Sequence, residues 1–389
     1  MKAPEVVRQG ESTRVVTKTA AELFQEGLEK GNKYSGGKWG GLYLRAPDIY
    51  FRVLEKAGDK LVRLGDVAEV RFGIKTGAND FFYLEVLPYR PVCPLCEKVH
   101  KEALAKEEEA AYWARGERPP ENALVAVKNG AGWEGYLEAS CLRPVIVSPK
   151  HSKTYGINPS SLPKRVLWLD DHLPPHATAY VNYGKDQGKS ALREVSGSEA
   201  GYRIGASRKE LIVYTRVSST RHQIFLNERR VEVDNNLFCI EPKNKRFSPY
   251  LIYAALESTF GALQKELLGR SYGGGSGPIK VEGADISRIL VPLWKGEKSH
   301  HLVEVVTTFA SQPTRPLLEE LGMRSWDDTP NPIPHRKALD DLIFDVLGLD
   351  QKERQAVYQE TARLVWERTA RAQSLGSIPW GNTEDVGLN

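Results

Sequence analysis

LVRLGDVAEVRFGIKTGANDFFYLEV, residues 61–86, is the stretch whose reading decides the fold. Short apolar runs alternate there with the turn residues Gly73, Gly77, Asn79 and Asp80, which predicts strands joined as a β-hairpin. Outward from it, similar short strands are predicted at 123–128, 143–148, 166–169, 211–217, 223–226, 231–240 and 288–293, with a helix near 249–268. Strands and helices mixed without a regular βαβ rhythm predict an α+β fold. Upstream, Ile49, Tyr50, Val53 and Leu54 recur at helical spacing behind Pro47, and a glycine-rich stretch separates this helix from an amphipathic pattern around Leu23, Phe24 and Leu28. Downstream of about residue 298 the pattern becomes helical: Leu339, Leu342, Ile343, Val346 and Leu347 follow the i, i+3, i+4, i+7 rule, and Gly348 stops that helix. A second helix runs from Asp350 through Val357, Leu364 and Val365, completing a C-terminal helical hairpin. The expected division is an N-terminal arm and short helix at 1–58, a mixed-strand domain at 59–297 with an insertion at 88–120, and a helical region at 298–389.

The chain has 389 residues and a formal charge of +4, so an anionic partner must be met by local clusters of Lys and Arg. No run approaches the roughly 20 apolar residues of a membrane span, and the N-terminus lacks the apolar core of a signal peptide. A cytoplasmic location without membrane contact is the expectation. Four cysteines cannot build a disulfide framework in so long a chain.

Several chemistries have no sequence to carry them. The P-loop pattern, H-E-x-x-H and G-x-S-x-G do not occur. A metal nuclease needs carboxylates converging from separate strands, whereas Asp48, Glu55 and Lys56 fall on one predicted helix. Methyl transfer to an adenine amino group needs a glycine-rich donor loop and an Asn/Asp-Pro-Pro-aromatic segment. The nearest strings, Asn158-Pro159-Ser160 and Asn331-Pro332-Ile333-Pro334, lack the paired prolines followed by an aromatic residue.

What the chain does contain is an ordered series of segments: KWGGLYLRAPDIYFRVLEKAGDKLVRLGDVAEVRFGIKTGANDFFYL (38–84), KNGAGWEG (128–135), LRPVIVSPK (142–150), VDNNLFCIEP (233–242), GRSYGGGSGPIKVEGADISRILVPL (269–293) and RKALDDLIFDVLGLDQKERQAVYQETARLVWERTARAQS (336–374). In this order they resemble the C-terminal target-recognition region, with its TaqI-like specificity domain, of adenine-specific DNA methyltransferases from restriction-modification and related phage-defence systems. The resemblance implies sequence-specific recognition of double-stranded DNA as the specificity part of an N6-adenine methyltransferase. It implies no catalytic residue on this chain, with S-adenosylmethionine bound by a catalytic subunit or domain elsewhere. The departure from the family is the missing catalytic segments. A second reading is an interaction or scaffold subunit of a phage-defence complex that no longer reads DNA.

A reading domain needs cations flanking amides, hydroxyls and guanidinium groups on accessible loops. Three segments qualify. Residues 71–79 offer Arg71, Lys75, Thr76, Gly77 and Asn79, with an ordinary hairpin turn as the alternative. Residues 215–222 set Arg216, Ser219, Thr220, Arg221 and His222 directly after an apolar strand, His222 by itself reading more simply as a structural histidine. Residues 270–280 bring Arg270, Tyr272, Gly274 and Lys280 around successive glycines that permit close backbone approach, with a subunit-facing loop or a plain linker as the alternatives. Trp133 reads as packed under a turn, and Asn235 with Asn236 as a turn before Leu237. Arg363, Arg368 and Arg371, with Glu360 and Glu367, read as a solvated helix face, with a helical arm that docks on a catalytic partner as the alternative. Cys93, Cys96 and His100 have the spacing of half a zinc site, with a fourth ligand to be recruited from Cys141 or His151.

Overall fold

The computed structural model describes residues 6–9, 14–28, 32, 34, 36, 39–170, 172–186, 203–271, 277–293 and 300–374. The chain is α+β, as expected, and divides into two compact units: one of residues 1–70, 216–224 and 242–389, the other of residues 71–215 and 225–241. The boundaries expected at 58/59 and 297/298 do not coincide with these units, because buried polar contacts tie residues 216–224 and 257–266 to helices beyond residue 300.

The second unit is built on a six-stranded sheet in the order Glu232–Val233, Leu142–Ile146, Lys164–Leu167, Tyr83–Val86, Leu124–Lys128, Glu134–Glu138. Glu232–Val233 pairs parallel with its neighbour, and the remaining pairs are antiparallel. Period-two alternation sends successive residues to opposite faces. Leu84 and Val86 accordingly pack with Val125, Val127 and Leu137 against helix Pro175–Asp186, while Tyr83 packs with Val145 and Val166 on the other face. Trp133 lies against Tyr180, ring centres 4.4 Å apart, which is the packed position expected of it. Asn129 holds its turn by accepting from the backbone of Ala131 and Trp133. Asn235 and Asn236 form the expected turn, the Asn236 N–H donating to the Asp234 carboxylate at 2.8 Å.

Residues 61–86 do not form a hairpin. Leu61–Arg63 pairs with Leu290–Pro292, whereas Tyr83–Val86 joins the six-stranded sheet. Between them Gly73 and Ile74 pair with residues 233–237, the Gly73 N–H donating to Leu237 and the Ile74 N–H to Val233. Gly73 serves this close backbone approach: a Cβ on it would lie 2.2 Å from the Val233 carbonyl oxygen.

The first unit is mainly helical. Helices Pro249–Glu257 and Thr259–Leu268 are buried almost throughout and meet at Ser258, whose hydroxyl accepts from the Gly261 N–H. Around them pack Asp48–Ala57, His300–Ala310, Pro334–Leu347 and Gln351–Ser374. Gly348 ends its helix in the left-handed region, φ +71°, where an L side chain is strained. The glue is polar as well as apolar. Arg336, fully buried, bonds Glu257 at 2.9 Å and Glu320 at 2.5 Å and lies over the Phe309 ring, and Asp340 accepts from the Thr259 N–H and hydroxyl at 2.6 and 2.7 Å. No described helix is long and apolar enough to cross a membrane.

Candidate nucleic-acid interface

Three short strands of the first unit gather half of the expected cations, Arg216, Arg270 and Lys280. Val217–Ser218 pairs with Ile279–Lys280, which pairs with Arg270–Ser271, all antiparallel. Arg270 stands opposite Lys280, and Lys280 opposite Val217, so the register brings Arg216, Lys280 and Arg270 to one small sheet. Arg270 is exposed, and Arg216 and Lys280 are partly so. Glu282, two residues on from Lys280, ties the first two together: Arg216 reaches both of its oxygens at 3.0 and 2.9 Å, and Lys280 lies 3.1 Å from one. Burial would raise the Glu282 carboxyl, but the bonds from Arg216 and Lys280 outweigh it and hold the group below its ordinary value.

The adjoining loop is fixed from beneath. Arg368, on Gln351–Ser374, clasps Glu266 at 2.8–2.9 Å and donates to the carbonyls of Ser219, at 2.8 Å, and Gly277. The Leu317 N–H holds the Thr220 carbonyl at 2.9 Å. Arg368 is therefore no part of a solvated helix face; only Arg363 behaves that way, pairing with Glu360 and Glu367 along its own helix. The Arg371 side chain lies outside the described residues. Lys265 is buried and donates to the Ser218 hydroxyl at 2.6 Å, burial pushing its ammonium down to about 7 against the opposing pull of Glu257 and Glu266. Ser219, Thr220 and Arg221 line a small pocket with Lys265, Glu266 and Arg368, and Arg221 is exposed.

His222 is corrected as a contact residue. It is buried, its Nε2 bonds the Leu256 carbonyl at 2.8 Å, and burial with nearby Lys265 holds its imidazole neutral, well below the usual histidine range. Tyr272 and Gly274 lie outside the described residues.

Residues 71–79 belong to the second unit. Arg71, Lys75, Gly77 and Asn79 are exposed, Gly77 in the left-handed region at φ +68°. Thr76 is corrected: it is buried, and its hydroxyl is engaged with the Asn79 side-chain oxygen, so it offers no free group to a base. The same unit holds Cys93, Cys96 and His100, whose donor atoms lie within 4.8 Å of one another. Cys141 is buried in the main core of that unit and is no part of this group, nor is His151. Asp48 and Glu55 stay on one helix, as expected, where Lys56 pairs with Glu353 at 2.6 Å.

The sequence reading missed Glu282 and Lys265 and took Arg368 for part of a solvated face. Glu282 was the findable one, since it lies two residues beyond Lys280 as the cap of the next helix. Arg368 is 149 positions from its Ser219 contact and has no local signal.

Residues 151–321 match the family model for the C-terminal domain of type II methyltransferase M.Eco57I, which bears out the resemblance read from the sequence. Among solved structures, the type IIG restriction endonuclease BpuSI is similar at 14% identity over 84% of this chain and 34% of that chain, with a TM-score of 0.48. The type IIL restriction-modification enzyme MmeI, solved in complex with DNA, is similar at 12% identity over 78% of this chain and 36% of its own, with a TM-score of 0.37. This chain thus spans about a third of the length of each. No curated protein matches it.

Proposed function

We propose that this chain recognises a specific double-stranded DNA sequence as the specificity part of an N6-adenine methyltransferase of a restriction-modification system. Catalysis and S-adenosylmethionine belong to a partner subunit or domain, since this sequence offers neither the donor loop nor the Asn/Asp-Pro-Pro-aromatic segment. The observation that carries the reading is the register that sets Arg270 opposite Lys280, with Arg216 joined to Lys280 through Glu282, on a sheet within the matched residues. Lysine and arginine at that spacing suit successive phosphates, and the exposed Arg221 with Ser219 and Thr220 suits base edges in a groove. The partner would flip the target adenine while this chain fixes the register.

The test is duplex binding measured across salt. Affinity for a cognate duplex should fall steeply, and Arg270→Ala and Lys280→Ala should each reduce the log–log slope by about 1 while the far-ultraviolet spectrum stays native. Arg221→Ala should relax preference between cognate and mismatched duplexes. Wild-type affinity indifferent to salt would end the phosphate-gripping reading. Retained assembly with a methyltransferase but no DNA affinity would favour the scaffold role in a phage-defence complex.

A further inference from the structure

Residues 87–105 contain neither helix nor strand and carry only a small apolar cluster, with Leu87, Cys93 and Ala103 packed on Ala126 and Tyr136. Within them the chain turns tightly at Cys93–Cys96. The Glu97 N–H donates to the Cys93 carbonyl at 2.9 Å, the Cys93 N–H to Lys98 at 2.8 Å, and the backbone N–H groups of Leu95 and Cys96 point at the Cys93 sulfur. Glu97 sits at φ +56°, a conformation unfavourable for a glutamate. Cys96 Sγ lies 3.2 Å from His100 Nε2, and His100 Nδ1 lies 3.4 Å from Glu102.

A fourth group, His176, stands close by; its nitrogens lie outside the set whose donor atoms are all within 4.8 Å of one another, so it must swing inward to complete a four-ligand site. The His176 ring centre is 5.5 Å from that of His100, and its Nε2 is buried with no hydrogen-bond partner among the described residues. Its Nδ1 is held by Glu138 at 3.1 Å, and the same carboxylate accepts from the backbone N–H of His176 and Ala177 at 2.9 and 3.1 Å. Two imidazoles bound through Nε2 to one tetrahedral zinc have ring centres roughly 5 Å apart, and a thiolate and an imidazole on it have donor atoms roughly 3.5 Å apart. Both observed separations lie within about half an ångström of that arrangement. Each histidine also presents its Nδ1 to a carboxylate, the outer contact that orients a metal-bound imidazole.

We propose that Cys93, Cys96, His100 and His176 bind one zinc ion, with Glu138 orienting His176. Neither Cys141 nor His151 is recruited. The site is a closed four-ligand one, structural and not catalytic, and it staples residues 87–105 to the start of helix Pro175–Asp186.

Metal analysis of the full chain, purified without chelator, tests the proposal, followed by exchange into cobalt(II). One zinc per chain is expected, and the cobalt form should show thiolate charge transfer with the intense ligand-field bands of a tetrahedral site. Cys96→Ser should abolish tight binding, and Glu138→Gln should weaken it about 10–100-fold. His176→Gln should weaken it at least as much and alter the ligand-field bands while the far-ultraviolet spectrum stays native. A chain that purifies without zinc and takes up none, for instance with a Cys93–Cys96 disulfide, would overturn the site. A His176→Gln chain with unchanged zinc affinity and cobalt spectrum would remove His176 from it.

Discussion

Arg270 and Lys280 are like charges directly opposite each other across an antiparallel pair, an arrangement that costs stability. Glu282 relieves part of that repulsion by taking Lys280 and Arg216 together. A phosphate approaching the same cations must compete with this carboxylate. Glu282→Gln is therefore expected to lower thermal stability slightly and to raise duplex affinity a few-fold, with a steeper salt dependence. Titrations of wild type and variant at two salt concentrations check this, and equal affinities would mean that the cations do not meet DNA. The histidines carry a separate expectation. Burial, with Lys164 nearby, pushes the His151 imidazole down to about 4, and His222 is held low in the same direction. The unfolded chain takes up protons at both from about pH 6.5 downward while the folded chain resists, so stability falls as pH drops from about 6.5 towards 4. Melting temperatures between pH 7 and 5 should decline less steeply in His151→Gln than in the wild type, and parallel curves would refute the assignment.

At the scale of elements, long-range polar anchors decide the architecture. Removing Arg368 strands the buried Glu266 carboxylate and releases the carbonyls of Ser219 and Gly277. Arg368→Ala should cost about 3–5 kcal/mol in denaturant unfolding, and hydrogen exchange should rise in residues 217–222. Gly348→Ala forces an alanine into the left-handed region and should cost about 1–2 kcal/mol. These elements also mark how far the sequence could be read. Helices Asp48–Ala57 and Pro334–Leu347, and strands such as Leu124–Lys128 and Leu142–Ile146, came within a few residues of expectation because their periodicity is local. The hairpin at 61–86 failed because Gly73 and Ile74 take partners more than 150 positions away, and no local pattern names a distant partner. The candidate site divides the same way. Arg216, Arg270 and Lys280 were legible as cations near glycines and strand ends, whereas the burial of Thr76 and His222 depended on packing from elsewhere.

For the whole molecule, neither compact unit is a continuous piece of chain. A fragment of residues 59–297 would keep Glu257 and Glu266 but lose Arg336 and Arg368, leaving buried carboxylates without their cations. That fragment should be insoluble or molten by near-ultraviolet circular dichroism, while the full chain melts cooperatively. A natively folded fragment would show that the buried ion pairs are dispensable. The proposed division of labour sets a further expectation: the purified chain with S-adenosylmethionine and duplex should incorporate no methyl groups, and copurified native complexes should.

The clasp of Arg368 and Leu317 on the backbone oxygens of Ser219 and Thr220 has an evolutionary corollary. Every amino acid supplies that oxygen alike, so substitutions at these two positions can alter what the loop contacts without loosening its mount. On the proposed reading, such a loop could drift from one target preference to another through folded intermediates, one exchange at a time.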